Sequence, residues 1–94
     1  MFSPTAWKQY TEWQTTDRNV IKKINDLIQD IQRNGFSSGI GKPEMLKARK
    51  AWSRRINQEH RLIYVGDENQ NLLIITCNSI NRNLIYFIFN SFFF

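Results

Sequence analysis

Basic side chains are concentrated in residues 42–61, where phosphate chemistry is therefore expected. This segment contains seven of the chain's 13 Lys and Arg residues: Lys42, Lys47, Arg49, Lys50, Arg54, Arg55 and Arg61. Only Glu44 and Glu59 oppose them there. Clustering of this kind indicates a phosphate-binding surface better than net charge does. We therefore predict that this segment binds RNA.

The same segment contains residue types that cleave RNA without a metal. The reaction needs a base for the 2′-hydroxyl, cations for the phosphorane and an acid for the leaving 5′-oxygen. Glu44 is the candidate base, and Arg55 and Arg61 are the candidate cations, because a guanidinium binds phosphate bidentately. The single histidine, His60, is a candidate acid, although a packed or surface role is preferred. These residues alone leave an RNase and an RNA-binding module equally open.

Arg54 and Arg55 are adjacent in a segment that reads as a strand. Successive side chains on a strand point to opposite faces of the sheet. One of the two arginines can therefore line a site while the other is exposed or paired. The sequence does not say which is which.

Metal and thiol chemistry are disfavoured by composition. One histidine and one cysteine cannot build a zinc site, and the acidic residues are scattered. Cys77 ends an apolar run, where a thiol is usually an inert packed group. We predict no metal and no cofactor.

Length and charge limit the class of protein. Ninety-four residues suffice for one domain, and the net charge of +5 favours anionic partners. A single cysteine excludes an internal disulfide framework, and no secretory signal is evident, so we expect a cytoplasmic protein. No apolar run reaches 18 residues, so no membrane span is expected.

Two helices and several strands are predicted to position this segment. Ser3 and Pro4 begin a helix over residues 4–14, whose aromatic residues Trp7, Tyr10 and Trp13 form a core-facing stripe. A second helix over residues 18–33 has apolar residues at a 3.6-residue period and ends at Gly35. Residues 36–41, rich in Gly and Ser, are predicted to be a flexible connector.

The second half of the chain is typical of strands. Residues 52–56 alternate, residues 61–65 and 72–77 are apolar runs, and residues 84–89 are again β-prone. Helices followed by strands predict an α+β fold, in which two N-terminal helices pack on a small antiparallel sheet.

Several motifs resemble a known family. The segments GKPEMLK, WSRRINQEHRLIYV and LLIITC, with the preceding helical sequence, closely resemble the YoeB/Txe toxins of the RelE superfamily. The similarity runs from about residue 3 to residue 77, so residues 1–77 are expected to form the toxin domain. The resemblance implies a ribosome-dependent mRNA endonuclease of a type II toxin–antitoxin system. It also implies a YefM-like antitoxin as partner; a homodimer stays an open alternative.

The resemblance also implies roles for single residues. Glu44 takes the family's general-base position, and Arg61 takes the phosphate-stabilising position of the E-H-R-L motif. Arg55 matches the second arginine of W-S-R-R-I, and Lys47 matches the lysine of P-E-x-L-K. The charge cluster already contains all four.

Three departures from the family pattern stand out. The strand before the first helix is reduced to Met1 and Phe2, and the loop after Lys47 is shortened. The family's C-terminal histidine–tyrosine pair, of which the histidine is the expected general acid and the tyrosine helps to position the RNA, is missing after Cys77. We therefore expect an impaired endonuclease, and a catalytically dead module that binds RNA, ribosome or antitoxin is the alternative.

Residues 78–94 form an atypical apolar tail. Its phenylalanine-rich sequence suggests either out-of-frame translation or a true extension that adds a strand or a dimer contact. A membrane-surface protein driven by this tail is a third and less favoured hypothesis.

Overall fold

The computed structural model describes residues 1–46 and 50–78, which form two helices followed by four strands. The helices are α1, Pro4–Thr16, and α2, Arg18–Asn34; the strands are β1, Glu44–Leu46, β2, Ala51–Arg55, β3, Arg61–Gly66, and β4, Leu72–Thr76. The predicted α+β fold is confirmed. Lys47, Arg49 and the strand predicted over residues 84–89 lie outside the described residues.

Helix α1 starts where the sequence predicts. The Ser3 hydroxyl accepts a hydrogen bond from the Ala6 N–H at 3.0 Å, which satisfies one of the free donors of the first turn. The helix runs two residues past the predicted end at residue 14. The Thr16 hydroxyl donates to the Glu12 carbonyl at 3.0 Å, so its hydrogen-bonding potential is met by the backbone of the last turn.

The aromatic stripe of α1 was predicted to face the core, and this is wrong for Trp7. Its side chain is 53% exposed and stacks on Tyr10, with ring centroids 5.9 Å apart. Trp13 is half-buried and donates from Nε1 to the Cys77 carbonyl at 2.8 Å. Six residues along a helix correspond to a rotation that leaves Trp7 and Trp13 about 120° apart. A three-residue spacing therefore cannot keep all three rings on one face.

Helix α2 buries one side, as its periodicity predicts. Asp17 caps the helix by accepting from the N–H groups of Asn19 and Val20. The buried side chains are spaced by three or four residues: Val20, Ile24, Leu27 and Ile31. Gly35, with φ of 90°, ends the helix and donates its N–H to the Ile31 carbonyl.

The four strands are ordered β1-β2-β3-β4, and each neighbouring pair is antiparallel. Residues 1–3 lie along the outer edge of β4. There Phe2 forms a single parallel bridge with Ile74, whose N–H and carbonyl bond to Met1 and Ser3. The strand expected before α1 is thus reduced to one bridge.

The sheet has two different faces. The helices pack on the first, where Ile56, Leu62, Tyr64 and Ile74 join the buried residues of α1 and α2. On the second face a smaller apolar cluster consists of Ala51, Ile63, Val65 and Ile75. Because side chains alternate along each strand, each predicted catalytic residue faces only one side of the sheet, and the register decides which of them share it.

Candidate active site

The strand register brings Glu44, Arg55 and Arg61 to the same face of the sheet. Glu44 of β1 pairs with Ser53 of β2, and two residues further along β2, Arg55 pairs with Arg61 of β3. Strand spacing and rise place the Cα of Glu44 about 8 Å from that of Arg55 and about 12 Å from that of Arg61. An arginine side chain spans much of such a gap. The spacing of Arg55 and Arg61 therefore lets one phosphate-sized anion contact both guanidiniums, with Glu44 on the same face.

Glu44 is presented by an unusual backbone. Gly41 and Lys42 both have positive φ angles, of 80° and 52°, and Pro43 then leads into β1. A positive φ in a lysine is uncommon and costs about 1–3 kcal/mol, so surrounding contacts must hold it. One such contact is the hydrogen bond from the Arg55 N–H to the Gly41 carbonyl at 2.7 Å. The entry to β1 is thereby attached to the strand that carries Arg55.

The two arginines differ in how they are held. Arg55 is exposed at the end of β2. Arg61 is half-buried, and its Nη1 donates to the carbonyls of Asn57 and His60 at 2.7 and 3.1 Å. These bonds fix one side of the Arg61 guanidinium against the loop before β3. Arg61 is therefore held by more contacts of its side chain than Arg55 is.

The face carries positive charge close to an exposed carboxylate. Within residues 1–46 and 50–78, no ion pair is formed by the side chains of Glu44, Arg55 or Arg61. Lys42, two residues before β1, and Lys50, directly before β2, are both exposed. Within the part of the chain that the structure describes, this face thus offers a carboxylate that can act as a base and cations that can bind phosphate.

The prediction that Arg54 binds RNA is wrong. Its side chain is fully buried on the helix-facing side, and its Nη1 lies 2.6 Å from Asp30 Oδ2. The guanidinium holds the pKa of the Asp30 carboxyl below its usual range through this hydrogen bond. Strand alternation had allowed one arginine of the pair to be buried, and the structure identifies it as Arg54.

His60 does not lie on the face that carries Glu44. Its ring makes an edge contact with Trp13 of α1, with centroids 4.7 Å apart. Its Nε2 is 3.9 Å from a carboxylate oxygen of Glu59. The packed role preferred for His60 agrees with this position, so the described residues place no histidine beside Glu44.

Two residues that support the site were missed by sequence reasoning. By its position in the helix, Asp30 resembles any polar residue on the outer side of an amphipathic helix, and Tyr64 belongs to the apolar run of residues 61–65. The Tyr64 hydroxyl accepts from Arg54 Nε at 2.9 Å and donates to the Phe36 carbonyl at 2.7 Å. Burial raises the pKa of the Tyr64 hydroxyl. The sequence contained one indication of such partners, the adjacent arginines Arg54 and Arg55. If one of the two faces the core, it needs a buried counter-charge, but the sequence does not say which residue supplies it.

Other features of the described residues bear on cofactors and membranes. Among residues 1–46 and 50–78, no three His, Cys, Asp or Glu side chains are grouped so that they could hold a metal ion. In the same part of the chain, neither helix combines the length and apolar character that crossing a membrane requires.

Comparison with known families gives one consistent result. Residues 2–80 match the family described as YoeB-like toxin of bacterial type II toxin–antitoxin system. Among curated proteins, the chain is similar to Toxin YoeB of Escherichia coli strain K12, with 47% identity over 79 residues. The match covers 82% of this chain and 92% of that toxin.

Solved structures agree with the sequence comparison. The fold is similar to that in a heterotetrameric YoeB–YefM toxin–antitoxin complex from Staphylococcus aureus, with a TM-score of 0.80 and 46% identity. It is also similar to a YoeB dimer from Staphylococcus aureus, with a TM-score of 0.79 and 44% identity. Each match covers 86% of this chain and 94% of the other chain.

Proposed function

Because the chain belongs to the YoeB-like toxins of bacterial type II toxin–antitoxin systems, we propose that it is a ribosome-dependent mRNA endoribonuclease. The toxin domain is residues 1–77, and Glu44, Arg55 and Arg61 carry the reaction. The observation that supports this most directly is the strand register, which gathers the three side chains on one face of the sheet.

The proposed reaction is attack by a ribose 2′-hydroxyl on the adjacent phosphate. Glu44 accepts the hydroxyl proton, and the new oxygen–phosphorus bond forms as the bond to the 5′-oxygen breaks. Arg55 and Arg61 stabilise the charge that develops on the phosphorane. The products are a 2′,3′-cyclic phosphate and a free 5′-hydroxyl. In this scheme side chains supply both the base and the cations, so the step uses no metal.

Among the described residues, the proposed site contains no identified general acid to protonate the leaving oxygen. The C-terminal histidine–tyrosine pair of the resembling family is missing from the sequence, and His60 packs against α1. General acid catalysis contributes about 10²–10⁴-fold to a rate. We propose that water protonates the leaving oxygen here, so that cleavage is slower than in a toxin with the pair.

The partners follow from the relatives. One similar structure is a YoeB–YefM complex and another is a YoeB dimer. We propose that this chain binds a YefM-like antitoxin, forms a homodimer and acts in the cytoplasm on mRNA held by the ribosome. The exposed residues Lys42 and Lys50 would contact RNA around the scissile phosphate, as would Lys47 and Arg49, which lie outside the described residues.

A catalytically inactive binding module is the second candidate, and the missing general acid favours it. Such a module would keep the phosphate-binding face and bind antitoxin or ribosome without cleaving mRNA. The two functions differ only in turnover. An activity measurement with unchanged folding and binding therefore separates them.

Induction of the full chain in growing cells tests the proposal. We expect growth arrest and loss of translated mRNA, both abolished by Glu44→Ala and by Arg61→Ala. Glu68→Ala is the matched control, because Glu68 is an exposed carboxylate in the turn after β3. Normal growth with intact, folded wild-type protein that still binds the antitoxin would reject the nuclease in favour of the binding module.

A further inference from the structure

Every donor of the buried Arg54 guanidinium is used. Its side chain has 0% exposure, and its five N–H groups match five hydrogen bonds of 2.6–2.9 Å. The acceptors are the Tyr64 hydroxyl, the Asp30 carboxylate and the carbonyls of Ile40, Gly35 and Ser38. Lysine has three donors on a point charge and cannot reproduce this planar set.

Three of these acceptors belong to the segment between α2 and β1. Residues 35–41 contain no helix or strand, so their carbonyls have no regular partners. Arg54 satisfies three of them, and the Tyr64 hydroxyl donates to a fourth, that of Phe36. Asp30 adds a bond from the other side by accepting from the Ile40 N–H at 3.0 Å. The predicted flexible connector is instead held against the sheet and α2.

Close packing accompanies these bonds. A Cβ on Gly41 would lie 2.6 Å from a methyl carbon of Leu27 and 3.2 Å from Arg54 Cβ. At Gly39 an added Cβ would collide with the Asp30 carboxylate. The loop therefore lies directly on the ion pair, with no space for a side chain between them.

The loop leads directly into the proposed base. Gly41 accepts the Arg55 N–H, Lys42 takes a positive φ, and Glu44 follows at the first position of β1. Strand β1 is an edge strand of three residues, so β2 alone pairs with it. In the described residues, the distance between Glu44 and Arg55 therefore depends on this short pairing and on the loop that precedes it.

We propose that Arg54 is a positioning residue: paired with Asp30, it fixes the loop of residues 35–41 and thereby sets Glu44 at working distance from Arg55 and Arg61. The catalytic part of this inference rests on the proposed nuclease function. Arg54 itself does not touch RNA. A displacement of about 1 Å in such a constellation costs on the order of 100-fold in rate.

The test uses the full chain with Arg54→Lys and, as a second variant, Asp30→Asn. Two matched controls separate positioning from loss of stability. Arg33→Lys makes the same chemical change at an exposed position of α2, and Ile24→Val weakens the core without touching the loop. Hydrogen exchange of the Arg55 amide reports loop docking, because this N–H donates to Gly41. Cleavage of ribosome-bound mRNA reports catalysis.

In Arg54→Lys and Asp30→Asn we expect exchange of the Arg55 amide to accelerate about tenfold or more, while amides of β3 keep their protection. We expect kcat to fall about 100-fold with little change in KM, because ground-state binding to mRNA is kept. Both controls should resemble the wild type. A variant that fails to fold is replaced by the other for both measurements.

Unchanged exchange of the Arg55 amide in the folded variants would overturn the inference. So would faster exchange with wild-type kcat, because the loop would then not position the base. A rise in KM alone would also overturn it and would indicate a binding role. If the wild type cleaves nothing, the proposed function fails, and the amide exchange decides whether Arg54 holds the loop.

Discussion

Two carboxylates of this chain experience very different surroundings. Glu44 is exposed on the face that carries Arg55 and Arg61, where it is available to a ribose hydroxyl. Asp30 lies against the buried guanidinium of Arg54 and accepts further bonds from Ile40 and Asn34. The first is the carboxylate proposed as the base. The second is suited to keep its charge throughout.

The lowered pKa of Asp30 predicts an acid-sensitive stability. Its folded-state pKa lies below the ordinary value of 3.8, so its contribution to stability is full above about pH 4 and is lost as pH falls through the folded pKa. Asp30→Asn should therefore reduce the loss of unfolding free energy between pH 4 and pH 2. Urea unfolding at several pH values measures this.

The control for that measurement is Asp26→Asn, an exposed carboxylate on the same helix. It should keep the wild-type dependence on pH. Asp67, whose pKa is also lowered by backbone N–H groups of its own turn, leaves a residual slope in every variant. An identical pH dependence in wild type and Asp30→Asn would contradict the assigned role of Asp30.

The Cys77 thiol is predicted to be inert in the folded protein. Burial raises its pKa to about 12, and its Sγ lies 3.6 Å from the Ala6 carbonyl, under the start of α1. Because the thiolate is the reactive form, alkylation at pH 8 should be more than about 100-fold slower in the native state than in urea. Iodoacetamide labelling followed by mass spectrometry measures both rates. Equal rates would show that the Cys77 thiol is not buried under α1.

The adjacent arginines Arg54 and Arg55 show what the sequence alone does not determine. The alternation rule states that Arg54 and Arg55 face opposite sides, and the structure agrees. It does not identify the buried arginine, because the counter-charge Asp30 lies 24 positions away on another element. Long-range partners of this kind leave no local pattern. Asp30 reads as an ordinary solvated residue of an amphipathic helix for the same reason.

At the scale of elements, the Ser3 hydroxyl is one of the side-chain groups that join the start of α1 to β4. Ser3 is 3% exposed; its Oγ accepts from the Ala6 N–H and donates to the Ile75 carbonyl at 2.8 Å. Ser3→Ala removes a helix cap and leaves a buried carbonyl without its donor, so we expect a loss of about 1–3 kcal/mol. Urea unfolding with an unchanged m-value measures it. Ser37→Ala, at an exposed loop position, should cost almost nothing; equal losses would reject the cap.

The loop before β1 allows a matched pair of glycine substitutions. Gly35 and Gly41 both have positive φ, but a Cβ at Gly35 meets nothing within 4 Å, whereas one at Gly41 meets Leu27 and the Arg55 carbonyl. Both Gly→Ala variants carry the backbone strain, and only Gly41→Ala adds crowding. Gly41→Ala should therefore be less stable than Gly35→Ala by about 1–3 kcal/mol. Equal unfolding free energies would show that the loop does not pack on α2 and β2.

Helices are more accurately predicted than the segments between them. The period of α2 and its stop at Gly35 follow from local rules, and its buried residues agree with the structure. The segment of residues 36–41 was read as a flexible connector from its Gly and Ser content. Its order comes from Arg54, Asp30 and Tyr64 on three other elements, which composition does not reveal.

At the scale of the whole molecule, the two faces of the sheet have different roles. One face packs on α1 and α2 and holds the buried Arg54. The other carries the exposed Glu44 and Arg55 together with Arg61. A rigid layer beneath an accessible row of charged side chains is the arrangement that a preorganised phosphate site requires.

Much of this architecture follows from the order of the predicted elements. Short connections between successive strands favour neighbours that pair antiparallel, and this gives the observed strand order. The face that carries the site then follows from alternation once the register is known. The register is the part that the sequence does not specify, because β1 is only three residues long and enters from an irregular loop.

The central claim is that Glu44, Arg55 and Arg61 cleave RNA through the 2′-hydroxyl. The most direct test incubates the purified full chain with mRNA-programmed ribosomes and determines the ends of the fragments. We predict slow cleavage that leaves 5′-hydroxyl and 2′,3′-cyclic phosphate ends, lost in Glu44→Ala and Arg61→Ala and kept in Glu68→Ala. No cleavage by the folded wild type, 5′-phosphate ends, or unchanged cleavage in Glu44→Ala and Arg61→Ala would contradict the claim.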